Sequence, residues 1–267
     1  MMASMFDVPR QIPLWGALWM LFFIRPAVAF VVLPATSEPA MTATTRHLLC
    51  VSFAAHVAMG ASPATLEALA TPQFLATVAV REALIGFTIG FAAGQGFWVA
   101  QSVGALVDNL AGYNNVQLIN PSSPEQNTPV SDVMLQMFVA VFWTSGGMLL
   151  LLGVIGETYR WWPVLDPLPQ WPAVPEALAG IGLTHLMRMV VSLSMPILFL
   201  LAFVDVGMGL VARAAKNADT SPLATPLKSA VALLAMVLFS SVFLADIRHY
   251  LSLAELPAVL ARWHSLR

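Results

Sequence analysis

The sequence contains little charge for its length. Only 10% of its 267 residues are charged and 58% are hydrophobic, whereas a soluble domain has about 25% charged and about 45–50% apolar residues. A soluble fold of this size has too little interior to bury so much apolar surface. A membrane or an apolar partner must therefore cover that surface, which excludes an ordinary soluble protein.

Metal ligands and disulfide partners are also scarce. Cys50 is the single cysteine, which excludes an intrachain disulfide. None of the five histidines stands three or four residues from another, and a structural zinc site needs several ligands. The formal net charge of −2 disfavours nucleic acid as the main partner. We therefore expect no metal, no cofactor and no nucleic acid.

Signatures of catalysis are missing as well. The glycine-rich stretch at 90–96 lies inside an apolar run and does not follow a strand, so it is not a phosphate-binding loop. Ser145 stands beside glycines but lacks the Gly-x-Ser-Gly order of intramembrane serine proteases. An aspartyl dyad would require Asp108 and Asp205 to meet, which no spacing indicates. We predict a protein that is not an enzyme and has no energy source of its own.

Six charge-poor runs give the coarse map of the chain. They cover residues 14–34, 48–61, 83–107, 133–156, 189–212 and 229–245. A membrane-spanning helix needs about 20 apolar residues, with a range of about 17–25. The third, fourth and fifth runs meet this length, whereas the second is short and favours a re-entrant or protein-buried helix. The sequence therefore predicts an all-α, polytopic membrane protein with a single domain over residues 1–267.

The first run has two interpretations. Arg10, the apolar stretch 14–24 and the small residues 27–29 resemble the three parts of a secretory signal peptide. The apolar run continues beyond that cleavage site, which favours a retained helix. In that case Arg25 lies inside the membrane or against a partner, and Pro26 interrupts the helical hydrogen bonds beside it.

Two long loops and a tail complete the map. Segment 109–131 is polar and contains no lysine or arginine. Segment 157–178 is rich in tryptophan and proline, and we expect it to lie along a membrane interface, where tryptophan is favoured. The tail 246–267 is amphipathic and predicts a surface helix, with binding to a partner protein as the alternative.

The third run combines apolar length with many glycines. Small residues four apart on a helix let a second backbone approach closely. We predict close packing at four of these positions: Gly86, Gly90, Gly94 and Gly104. Gln95 and Gln101 would be costly against lipid, so both should face protein or water. Glu82 and Asp108 bracket the run.

Several motifs occur in an order that resembles one known family. They are Glu82-Ala83-Leu84-Ile85-Gly86-Phe87, Gly90, Phe97-Trp98, Gln101, Gly104, Asp108, Gly112, Asn120-Pro121, Phe142-Trp143-Thr144-Ser145-Gly146-Gly147, Tyr159-Arg160-Trp161-Trp162-Pro163-Val164, Pro196, Asp205, Gly209, Arg213 and Pro226-Leu227-Lys228-Ser229. Together they resemble the T subunits of type III secretion export gates, which are related to flagellar FliR. Two segments depart from that family: Asn120-Pro121 replaces Asp-Pro, and Lys216-Asn217-Ala218-Asp219 replaces a Pro-Gln-x-Asn run.

The resemblance implies a structural role in protein export. Helical hairpins would pack into a helical export-gate assembly in the inner membrane of a Gram-negative cell. The partners would be the R and S subunits, the switch and large export-gate subunits, membrane lipid, and the unfolded effector and needle polypeptides in transit. Residues expected to make polar contacts within or between subunits are Glu82, Gln101, Asp108, Asn120, Asp205, Arg213 and Lys228.

A second function class stays open at this point. A stand-alone proton-coupled secondary transporter would also place carboxylates and broken helices inside a membrane. Its proton sites would be Glu82, Asp108 or Asp205. Such a carrier should be stable and active alone, whereas an export-gate subunit should need its partners.

Overall fold

The described part of the chain is helical and contains no strand. The structure, a computed structural model, describes residues 8–38, 40–60, 72–112, 128–164, 183–214, 224, 226–235 and 237–238. The helices are α1 (Val8–Val32), α2 (Ala43–Met59), α3 (Pro72–Ala111), α4 (Pro129–Thr144), α5 (Gly147–Trp161), α6 (Leu183–Ala214) and α7 (Pro226–Ala235). A 3-10 turn at Pro34–Thr36 follows α1. The predicted all-α class is confirmed.

The chain divides into two compact units. The first contains Met1–Gly94, Met148–Ile181 and Leu253–Arg267, and the second contains Gln95–Gly147 and Gly182–Ser252. Helix α3 is 40 residues long and contributes its first part to one unit and its last part to the other.

The core of the first unit forms where α1 meets α2. Leu18, Leu21 and Phe22 of α1 pack in one buried cluster with Ala54 and Ala58 of α2. Small residues four apart on α2 let the two helices approach closely, because the alanine side chains end at Cβ. Cys50 continues this face of α2 and is buried. Burial raises the pKa of the Cys50 thiol to about 11, so the thiol stays protonated at neutral pH.

The core of the second unit forms between α3 and α6. Val99 and Val103 of α3 pack with Leu186, Met189 and Val190 of α6. Four aromatic residues add a second cluster between α3 and α4 in the same unit: they are Phe97, Phe138, Phe142 and Trp143, whose ring centroids lie 4.5–6.0 Å apart in edge-to-face pairs. Such pairs stabilise helix contacts beyond the apolar area that they bury.

Two of the described helices are long and apolar enough to cross a membrane. They contain the segments Leu75–Ala111 and Leu186–Ala214, and the bent pair α4–α5 brings the total to three if it counts as one span. The apolar parts of α1 and α7, Gly16–Val32 and Pro226–Ala235, are shorter. The chain is a membrane-embedded helical protein, as its composition predicted.

The fourth charge-poor run divides into two helices. Helix α4 ends at Thr144 and α5 begins at Gly147. Gly146 has a φ of 79°, a left-handed conformation that most side chains avoid. The Thr-Ser-Gly-Gly sequence at this point therefore marks the break. Most of the predicted loops 109–131 and 157–178, and the tail 246–267, lie outside the described residues.

Candidate functional sites

Glu82 and Arg25 form an ion pair inside the first unit. Glu82 lies on α3 and Arg25 on α1, and both side chains are fully buried. The Nε of Arg25 donates to Oε2 of Glu82 at 2.8 Å, and Nη2 donates to Oε1 at 3.0 Å. This two-bonded geometry is the strong form of an arginine–carboxylate contact. The charge within the first apolar run is therefore balanced by α3 of the same chain.

The remaining donors of Arg25 bind the C-terminal end of α5. Its Nη1 donates to Oγ1 of Thr158 at 2.9 Å, and its Nη2 also donates to the carbonyl of Trp162 at 3.2 Å. The guanidinium carbon lies 3.9 Å from the ring centroid of Tyr159, a cation–π contact. Arg25 thus joins three helices, and we call Arg25, Arg81, Glu82, Thr158 and Tyr159 the polar joint.

Arg81 is the second cation of the polar joint. Its Nη2 lies 3.1 Å from Oε1 of Glu82 and also donates to the carbonyls of Pro163, at 3.4 Å, and Val164. These carbonyls follow the end of α5, where the helix dipole is negative and favours a cation. One buried carboxylate therefore serves two buried guanidinium groups.

Tyr159 also repairs a gap in α1. Proline lacks an N–H group, so Pro26 leaves the carbonyl of Phe22, four residues earlier, without its helical donor. The hydroxyl of Tyr159 donates to that carbonyl at 2.9 Å, and the two rings pack edge to face. Helix α1 therefore continues through Pro26 to Val32.

Two of the predicted packing glycines of the first unit, Gly86 and Gly90, face α1. A Cβ on Gly90 would lie 2.6 Å from the carbonyl oxygen and 2.9 Å from the Cα of Ala29, and a Cβ on Gly86 would overlap the carbonyl of Arg25. Gly94 is buried in the same helix. The glycines at 86 and 90 therefore permit the backbone approach that brings Arg25 within reach of Glu82.

Asp108 caps a helix in the second unit. Its carboxylate is fully buried near the end of α3. Both oxygens accept from the N–H of Val130, at 3.2 and 3.0 Å, and Oδ2 accepts from the N–H of Ser131 at 3.0 Å. These N–H groups belong to the first turn of α4, where the helix dipole favours an anion.

Gly104 and Gln101 belong to the same contact between α3 and α4. A Cβ on Gly104 would lie 2.5 Å from the Cα of Ser131. The hydroxyl of Ser131 donates to the backbone carbonyl of Gln101 at 3.1 Å. Gln101 thus contributes its backbone here, and its side chain is half-buried.

The four remaining predicted residues differ in their surroundings. Asp205 of α6 accepts from Lys228 of α7, with Nζ 2.5 Å from Oδ1 and side-chain exposures of 51% and 20%. Arg213 lies exposed in the last turn of α6. Asn120 lies outside the described residues. No group of three or more histidine, cysteine or carboxylate side chains that could hold a metal occurs among the described residues.

Sequence reasoning did not identify Thr158 and Tyr159 as site residues. Their contacts with α1 bridge 133 and 137 positions, so no local spacing could reveal them. The available signals were a charge in an apolar run at Arg25 and the motif that begins at Tyr159. Both were visible, but the sequence alone does not pair them.

These contacts define a class of protein: a helical membrane protein whose buried charges join its own helices. Residues 17–254 match a family model described as Bacterial export proteins, family 1, and the chain belongs to that family. The chain is 30% identical over 162 residues to Yop proteins translocation protein T of Yersinia pestis, which covers 60% of this chain and 61% of that protein.

Two further relatives match over more of their length. Surface presentation of antigens protein SpaR of Salmonella typhimurium is 25% identical over 229 residues, covering 84% of this chain and 83% of the relative. Flagellar biosynthetic protein FliR of Bacillus subtilis is 22% identical over 236 residues, covering 88% and 90%. The resemblance to the export apparatus that the sequence motifs indicated is confirmed.

Proposed function

We propose that this chain is a structural subunit of a type III secretion export gate. It would help to form the inner-membrane channel through which unfolded effector and needle polypeptides leave a Gram-negative cell. The observation that carries this proposal is the family match over residues 17–254, together with relatives named for translocation and flagellar biosynthesis. The motif Tyr159–Val164, which resembles the secretion branch, and the 30% identity to the Yersinia protein over 162 residues favour the secretion branch over the flagellar one.

The use of the buried carboxylates supports a structural role. Glu82 is held by Arg25 and Arg81, and Asp108 is held by two backbone N–H groups of α4. A proton carrier needs a carboxylate that alternates between a proton and another partner. Both acids instead bind groups of their own chain, which favours helix joining over proton transport.

The exposed apolar surface supports assembly with partners. Helix α6 has large exposed side chains along its length: Met187, Val191, Met195, Phe199, Phe203, Val206 and Leu210. Lipid or a partner helix must cover them. The proposed partners are the R and S subunits of the gate, with the switch and large export-gate subunits next to them. Energy for export would come from other components.

Co-purification tests the proposal. The tagged full chain would be expressed with and without the R and S subunits, extracted in mild detergent and measured by native mass spectrometry. We expect a defined complex with one copy of this chain among several R and S copies, and a poorly soluble chain in their absence. A chain that is monodisperse alone and never binds either subunit would contradict the export-gate function and favour the carrier.

A further inference from the structure

Helix α1 contains a proline inside its apolar part, and another helix compensates for it. Pro26 has no N–H group, so the carbonyl of Phe22 lacks its usual donor from within α1. The hydroxyl of Tyr159, in the last turn of α5, donates to that carbonyl at 2.9 Å. The continuity of α1 across the proline therefore depends on a side chain that α5 supplies.

The part of α1 that follows Phe22 is fixed to α3. Arg25 and Glu82 pair at 2.8 Å with both side chains fully buried. A Cβ on Gly90 would lie 2.6 Å from the carbonyl oxygen of Ala29, so the two backbones meet closely at this point. Neither contact involves the hydroxyl of Tyr159. This part of α1 therefore keeps its place on α3 when that hydroxyl is withdrawn.

The part of α1 that precedes the proline is packed through an apolar cluster. The buried members of that cluster are Leu18, Leu21 and Phe22 of α1, Ala54 and Ala58 of α2, Val78 of α3, and Val164. Hydrophobic contacts are non-directional, so they tolerate a change in helix angle better than hydrogen bonds do. A bend at the proline would therefore move this part of α1, whereas the part fixed to α3 would stay.

The ring of Tyr159 and its hydroxyl make separate contacts. The ring packs edge to face on Phe22, with centroids 5.2 Å apart, and lies 3.9 Å from the guanidinium carbon of Arg25. The hydroxyl alone reaches the Phe22 carbonyl. Because phenylalanine keeps the ring, Tyr159→Phe removes the hydrogen bond and leaves the packing in place.

We propose that Pro26 is a hinge in α1 and that the hydroxyl of Tyr159 is the latch that keeps this hinge closed. While the hydroxyl donates to the Phe22 carbonyl, α1 is one continuous helix. When the last turn of α5 moves away, α1 bends at the proline and its first part separates from α2. The position of the end of α5 thus controls the shape of α1.

Cys50 provides a built-in reporter of this hinge. It is the single cysteine and is 1% exposed on α2. The residues on either side of it along the same face of α2 both meet α1: the ring of His47 stacks on Phe23, and Ala54 shares the buried cluster with Leu18. A bend that moves the first part of α1 therefore uncovers the thiol.

Timed alkylation measures how often the thiol is uncovered. Membranes containing the full-length tagged chain would be treated with N-ethylmaleimide for increasing intervals. The unreacted Cys50 would then be counted after SDS denaturation, from the gel shift with a polyethylene glycol maleimide. The alkylation rate of a buried thiol follows the population of the locally opened state.

A double-mutant cycle isolates the latch. Tyr159→Phe should raise the alkylation rate of Cys50 by about fivefold, as expected for the loss of one buried hydrogen bond. Pro26→Ala returns an N–H to the Phe22 carbonyl and should not raise the rate, and Tyr159→Phe should have no effect in that background. Ser194→Ala is the matched control, because its buried hydroxyl donates within α6, and it should leave the rate unchanged.

Two results would overturn the proposal. One is a Tyr159→Phe chain that is alkylated at the natural rate. The other is an equal rise in the natural and the Pro26→Ala backgrounds, which would show that the hydroxyl acts on something other than the proline gap. If Tyr159→Phe does not accumulate in the membrane, Pro26→Ala must restore its amount, and failure to do so rejects the latch. The readout requires no secretion, so it is independent of the proposed export function.

Discussion

The Arg25–Glu82 pair joins α1 to α3 in one unit, and the Lys228–Asp205 pair joins α7 to α6 in the other. Their distances are similar, at 2.8 and 2.5 Å. Their burial differs: both side chains of the first pair are fully buried, whereas Asp205 is 51% exposed. Solvent screens an exposed pair, but a buried charge depends on its partner. Burial, and not distance, therefore separates a contact that the fold requires from one that it tolerates.

The buried Asp108 is an intermediate case. Within the described part of the chain it pairs with no cation, and its charge is met by backbone N–H groups at the start of α4. When such a carboxylate is removed, the backbone N–H groups lose their acceptor, but no opposite charge is left unpaired. Its removal should therefore cost less than removal of Glu82 and more than removal of Asp205.

The largest effect should come from Glu82→Ala. This change leaves the fully buried Arg25 without its carboxylate and should lower the free energy of unfolding by about 3–5 kcal/mol. Detergent–SDS unfolding of the purified full chain would measure the change. A loss under about 1 kcal/mol, the size typical of an exposed pair, would contradict the comparison.

Gly90→Leu should come next. The new side chain would have to occupy the space of the Ala29 backbone, and overpacking at such a site costs about 2–3 kcal/mol. We expect poor gate assembly and blocked export in a secretion assay. Gly153→Leu is the matched control in the same unit, because no other group lies within 4 Å of a Cβ there. Normal secretion with normal assembly in Gly90→Leu would refute the prediction.

Asp108→Ala should have a moderate effect. It leaves the N–H groups of Val130 and Ser131 without their acceptor, and loss of a helix cap costs about 1–2 kcal/mol. Asp108→Asn should cost less, since the amide oxygen can still accept one of these bonds. The same unfolding assay applies, and equal stability of Asp108→Ala and the natural chain would show that the cap is dispensable.

The smallest effect should follow Lys228→Met. Because the paired Asp205 is half-exposed, the loss should be about 0–1 kcal/mol on the isolated chain in detergent. A loss above about 2 kcal/mol would place this pair in the same class as Arg25–Glu82 and remove the contrast between the two units.

The sequence predicted the helices better than their contacts. The run at 83–107 lies within α3, because an apolar composition determines a helix locally. The glycines at 86, 90 and 104 indicated close backbone approach, yet their neighbours on α1 and α4 are not encoded by spacing. Glu82 and Arg25 stand 57 positions apart, and only the packing of α1 on α3 pairs them.

Two further features were not predicted correctly from local sequence patterns. The residues Thr144-Ser145-Gly146-Gly147 contained the signal for the α4–α5 break, but apolar length alone suggested one long helix. Pro26 predicted an interruption of α1, whereas the helix continues because Tyr159 supplies the missing donor. The break at Gly146 is thus local but hidden by apolar length, whereas the contact of Tyr159 with α1 appears only in the folded chain.

A pair of double-mutant cycles would test the central claim most directly. One cycle uses Arg25→Met and Glu82→Gln, and the other uses Lys228→Met and Asp205→Asn, all in the full-length chain and measured by SDS unfolding. We predict a coupling energy of about 2–3 kcal/mol for the buried pair and below about 1 kcal/mol for the exposed pair. Equal coupling energies, or a larger one for Lys228–Asp205, would contradict the claim that burial decides which charges hold this protein together.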